Sequence, residues 1–150
     1  MTKWIHPIAG ALALLTILSF WFATVIVETL GAPAAIVAVK TAIPWGLLVL
    51  VPALAAVGGS GFALAHDRQG ERVAAKRRRM PIIAANGLLV LVPCAFFLAA
   101  KAAAGELDGV FYAVQGLELV AGAVNATLLG LSLRDGLRLS GRLRGQSVRT

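Results

Sequence analysis

The sequence predicts an all-α integral membrane bundle of four transmembrane helices, with both termini on the cytoplasmic side (N-in/C-in). Four apolar stretches carry this expectation, at about 4–27, 42–65, 81–100 and 110–133. Each has the roughly 20 residues that a helix rising about 1.5 Å per residue needs to cross about 30 Å of hydrocarbon. The composition agrees: 59% of residues are apolar and 14% charged, against about 45–50% and about 25% in soluble domains. The third observation is the placement of charge. Lys3 precedes the first stretch, Arg68, Arg72, Lys76, Arg77, Arg78 and Arg79 lie between the second and third, and Arg134, Arg138, Arg142, Arg144 and Arg149 follow the fourth. Only Lys40 and Lys101 fall on the opposite side, with Glu28, Glu106 and Asp108. Lysine and arginine accumulate in cytoplasmic loops, so this asymmetry orients the chain.

In the first span, Pro7 suits an opening helical turn, where its missing N–H costs nothing. Trp4 marks the inner boundary and Trp21 the approach to the outer one, as Trp45, Phe111 and Tyr112 do for the second and fourth spans; such aromatic belts are expected at both interfaces. Ala32, Pro33 and Ala34 superficially resemble a signal-peptide cleavage site. The preceding apolar run exceeds the about 7–15 residues of a signal sequence, so it reads as a retained span. The segment 31–41 fits either a short interfacial helix or an early extension of the second span, kinked by Pro44.

The second span, 42–65, ends in Gly58, Gly59, Ser60 and Gly61, a small-residue surface suited to close helix packing. A basic loop, 66–80, leads to the third span, 81–100, which carries Asn86 and the single cysteine, Cys94. One cysteine forms no internal disulfide and says nothing of redox compartment. The short turn at 105–109 makes the third and fourth spans antiparallel neighbours, and a basic tail occupies 134–150. After these elements too little chain is left for a second domain. The heptapeptide Gly-Leu-Leu-Val-Leu-Val-Pro at 46–52 recurs letter for letter at 87–93, in spans of opposite direction. Inverted repeats of transporters show such echoes, but Leu and Val dominate any span and the match ends at the heptapeptide. Each copy places a proline near mid-helix, where it bends the helix and frees a carbonyl.

Polar residues within the spans are the candidates for function. Glu118 lies about 12 Å inside the fourth span, where an acid faces the bundle interior and marks an ion path, a proton relay or a polar contact. Gln115 and Asn125 share its helix face. Ser60, Asn86 and Asn125 fall at similar depth below the cytoplasmic face, and the two asparagines are placed to hydrogen-bond across the third and fourth spans. Without a basic partner, Glu118 reads first as a protonated side chain joining helices, through a proline-freed carbonyl or through Ser19 or Thr16. His6 and His66, the only histidines, come to the same membrane face and are candidate axial ligands of a b-type haem. Two histidines alone are too few for a closed zinc site, so no metal centre is expected. Lys76, Arg77, Arg78 and Arg79 suit anionic lipid headgroups better than nucleic acid. No nucleophile–base arrangement or phosphate loop occurs, so no catalytic residue is named.

These readings place the chain in a bacterial-type inner membrane, first as a non-catalytic accessory subunit or component of a membrane complex. Two alternatives stand beside it: a b-haem electron carrier using His6 and His66, and a small proton- or cation-coupled carrier centred on Glu118. The lipid bilayer is the expected partner, with a homo-oligomer or larger membrane complex around it.

Overall fold

In the computed structural model the backbone is described for residues 2–65 and 71–139, and side chains for residues 8–59 and 79–135. All secondary structure there is helical: α1 (Thr2–Leu30), α2 (Pro33–Ala65), α3 (Glu71–Asn86), a π-helical turn (Gly87–Leu91), α4 (Val92–Ala103) and α5 (Gly109–Leu139). Because α3, the π turn and α4 run on as one rod, the chain forms four long helices. Their apolar stretches, Ile8–Leu30, Pro33–Gly59, Arg79–Ala103 and Gly109–Asp135, contain 23, 27, 25 and 27 residues, long and apolar enough to cross a membrane.

The second stretch begins well before residue 42, which settles the character of 31–41: from Pro33 onward it is the first part of α2. Gly31 and Ala32 alone separate α1 from α2. Gly31 N–H closes the end of α1 on the Val27 carbonyl (3.0 Å), and Ala35 N–H opens α2 on the Ala32 carbonyl (2.8 Å). Pro33 takes the first helical position, where its fixed φ is already helical, and the alanines after it favour helix. Pro44 and Pro52 stay inside the helix. Pro44 has no N–H for the carbonyl four residues back, that of Lys40. The basic segment also differs from a plain loop, since helix begins at Glu71.

The turn between α4 and α5 is closed at both ends. Glu106 N–H bonds the Lys101 carbonyl (2.9 Å) and Gly105 N–H the Ala102 carbonyl (3.0 Å), the paired bonds of a Schellman motif. Gly105 supplies the left-handed residue, φ 74°, which costs a side-chain-free residue nothing. Asp108 then caps α5, its Oδ1 accepting Phe111 N–H at 2.9 Å. That bond, together with the Lys101 ammonium 3.0 Å from Oδ2, holds the Asp108 carboxyl below its ordinary range.

The helices form a ring in which α1 packs between α2 and α5, and the third rod between α2 and α5 on the other side. One apolar cluster joins Ala13, Ile17, Leu47, Leu50, Ile83 and Leu129. A smaller one, Ile36, Leu98, Ala102 and Phe111, closes the end bearing the short connections. Large apolar side chains cover the outside: Leu30 is 85% exposed, Leu89 75% and Trp45 74%. Such a surface is unfavourable in water and ordinary in lipid.

Three aromatics sit away from the belt positions expected of them. Trp45 lies twelve residues into α2, because that helix starts at Pro33. Phe111 is fully buried in the smaller cluster. Trp21 is an interhelical link, its indole N–H donating to the Leu119 carbonyl at 3.0 Å.

Candidate functional site

Lys40 and Glu118 meet inside the bundle. Extending α2 back to Pro33 places Lys40 seven residues from the helix start, about 10 Å along the axis, and Glu118 lies nine residues from the start of α5, about 13 Å along it. Both helices start at the same end, so the two side chains share a layer. The Lys40 ammonium donates to Glu118 Oε2 and, at 3.5 Å, to Thr24 Oγ1 of α1. The side chain of Lys40 is 1% exposed and that of Glu118 12%.

A lysine near a helix end normally extends its stem so that its ammonium reaches water. Lys40 points inward instead. Removing an ammonium and a carboxylate from water costs several kcal/mol each, so neither would be retained here without the other. A second carboxyl stands close by: Glu28 of α1 lies within electrostatic reach of both Lys40 and Glu118, and its Oε1 is buried without a hydrogen-bond partner. Glu118 is thus the carboxyl bonded to the ammonium, with Glu28 near enough to feel both charges.

Beside the pair, away from the connection end, a cavity of about 60 Å³ lies between the helices, lined by Phe20, Trp21, Thr24, Leu50, Glu118 and Gly122 among others. The lining is mainly apolar, so although a water needs only about 10–15 Å³ on this measure, the places for one are beside Thr24 and Glu118. The apolar cluster around Phe111 packs towards the connection end of the bundle, on the other side of the pair.

The remaining candidates resolve as follows. Gln115 is 3% exposed, and neither end of its amide is partnered. Asn86 Nδ2 donates to the Ala121 carbonyl (2.9 Å) and to Asn125 Oδ1 (3.2 Å), joining α3 to α5. Thr16 and Ser19 bond carbonyls of their own helix, those of Leu12 and Leu15, and do not approach Glu118. Arg79 meets Asp135 near the far end of the bundle, Nη1 to Oδ2 at 2.7 Å. His66 lies outside the described residues, as do the side chains of His6, Ser60, Lys76, Arg77 and Arg78.

Sequence reasoning named Glu118 but missed its partner, because it placed Lys40 before the second span. Pro33 was the available signal: a proline at the first helical position, followed by helix formers, moves the span start outward and brings Lys40 into it. The Arg79–Asp135 pair also had a signal, opposite charges at the facing ends of antiparallel spans. No family model, curated protein or solved structure matches the chain.

Proposed function

We propose that this protein is a small multi-pass protein of a bacterial-type inner membrane, both termini cytoplasmic, that carries protons through a site formed by Glu118, Lys40 and Glu28. One observation supports it above the others: the Lys40–Glu118 ion pair is buried in the bundle, with the carboxyl of Glu28 within electrostatic reach of both. Fully ionised, the three groups sum to −1, and a net charge there is expensive. One bound proton makes the cluster neutral. The ammonium beside Glu118 repels metal cations, so the exchanged species is H⁺.

Lys40 gives Glu118 the basic partner that a proton site needs, which favours a carrier over an accessory subunit. The test is proton flux in vesicles containing purified protein and a trapped pH dye, driven by an imposed potential. Glu118→Gln removes the exchangeable carboxyl and abolishes the flux; flux equal to wild type would sink the proposal.

The accessory or oligomeric reading keeps one supporting observation. Gly109, Gly116 and Gly130 lie seven and fourteen residues apart on α5, with Ala123 between the last two, and a side chain at any of the three glycines would meet no other atom. Small residues on a lipid-facing stripe let a second helix approach closely. A carrier that assembles with further copies through this stripe is compatible with both readings.

A further inference from the structure

Among the described residues, five buried side-chain atoms lack a hydrogen-bond partner: Glu28 Oε1, Gln115 Nε2, Gln115 Oε1, Asn125 Nδ2 and Ser132 Oγ. Four of the five belong to α5. Gln115 is 3% exposed, Asn125 0% and Ser132 2%, so all three point into the bundle.

Their spacing puts them in line. Gln115, Glu118, Asn125, Ser132 and Asp135 follow one another at three, seven, seven and three residues, the repeat that keeps one helix face. Twenty residues from Gln115 to Asp135 rise about 30 Å, the thickness of the hydrocarbon layer. A helix needing only to pack would carry apolar residues along such a face. Unpaired amides and hydroxyls in an apolar interior are costly and rare, and each calls for a polar occupant.

We propose that the buried face of α5 is a proton path joining the Glu118 site to the Arg79–Asp135 pair, with water as the occupant that completes its hydrogen bonds. The inference rests on the proton-carrier reading and adds its route and its gate. From Glu118 the path enters the cavity of about 60 Å³, which Glu118 and Gly122 both line. Asn125 stands one turn beyond Gly122. Its carbonyl oxygen is held by Asn86 Nδ2, which leaves its own Nδ2 to water. Ser132 and then Asp135 lie further along.

Between Asn125 and Ser132 the line is interrupted by Leu129, 2% exposed in the same apolar cluster as Ala13 and Ile83. Leu129 is four residues after Asn125 and three before Ser132, and it puts a bulky apolar side chain where the equivalent gap between Glu118 and Asn125 has only Ala121 and Gly122. It is the gate, closed in this structure. When it moves, the proton released from the Glu118 carboxyl passes to a cavity water. Each water accepts one proton and gives up another, and one H⁺ leaves beside Asp135. Glu118 is left as carboxylate against Lys40, so charge and atoms balance without any further reactant.

The experiment measures proton uptake by proteoliposomes of the full chain under an imposed potential, for wild type, Ser132→Ala, Asn125→Leu, Leu129→Ser and Glu118→Gln, each first shown to retain its helical circular dichroism. The path predicts at least a fivefold loss for Ser132→Ala combined with Asn125→Leu. It predicts at least a fivefold gain for Leu129→Ser, lost again when Glu118→Gln is added. The gain keeps the test informative should the double variant fail to fold. Flux that depends on Glu118 but ignores positions 125, 129 and 132 overturns the path and leaves the carrier reading standing. Absence of flux in wild type and in Leu129→Ser overturns both.

Discussion

Lys40 and Glu118 pair across the diagonal of the helix ring. They come from α2 and α5, whose backbones do not approach within 8 Å among the described residues, so only long side chains close the gap. Lys40 is also the residue whose carbonyl Pro44 leaves without its helical N–H. The pair thus ties together two helices whose backbones stay apart.

Breaking this pair on one side is expected to be worse than removing it. Lys40→Met leaves a buried carboxylate, and Glu118→Gln a buried ammonium; each should cost about 3–5 kcal/mol. Lys40→Met combined with Glu118→Gln should recover more than half of that loss. Thermal unfolding in detergent, followed by helical circular dichroism, checks the order. A double variant less stable than both singles would contradict the pairing.

The two copies of the repeated heptapeptide should respond differently to the same change. A Cβ on Gly46 would collide with the Phe20 ring, whereas one on Gly87 meets only Asn125 Nδ2 at 3.6 Å, an ordinary contact. Gly46→Ala should cost about 1–3 kcal/mol as overpacking, and Gly87→Ala less than about 1 kcal/mol, given alanine's better helix propensity. Equal melting temperatures for the two variants would show that the copies are packed alike.

The Asp108 cap should titrate. Its carboxyl is held below the usual range by Phe111 N–H and by Lys101, so its contribution is fully present above the unfolded value of about 3.9 and is lost as pH falls below it. The Phe111 amide resonance should therefore shift with a midpoint below that value, and Asp108→Asn should remove the titration. A midpoint above the ordinary aspartate value would contradict the cap.

Adding bulk on the open stripe of α5 should separate assembly from the proton site. Gly116→Ile adds a side chain where no atom of this chain lies nearby, so the monomer should keep its melting temperature. If copies associate through this stripe, chemical cross-linking in native membranes should fall severalfold. Unchanged cross-linking would move the interface elsewhere.

Much of the architecture can be read in the sequence because lipid leaves few choices. About 20 apolar residues in a row, with backbone groups that must be satisfied internally, make a helix whatever its neighbours are. The four helices, the Schellman turn announced by Gly105 and the face shared by Gln115, Glu118 and Asn125 all follow from chain-local chemistry. Identical letters at 46–52 and 87–93 mark where that legibility ends. The first copy runs as α-helix beneath the Phe20 ring, while the second opens into a π turn, with Val92 N–H reaching back to the Gly87 carbonyl. Local sequence is the same in both, so neighbours made the difference.

The functional centre divides in the same way. Sequence by itself determined that Glu118 lies deep in an apolar helix and that a carboxylate there needs a reason. Only the tertiary structure decided that the reason includes Lys40, Glu28 and Thr24, which come from two other helices. The first is a matter of solvation, set by depth along one helix. The second depends on the order of helices around the ring and on where α2 begins, and a diagonal contact between side chains 78 residues apart leaves no periodic trace along the chain.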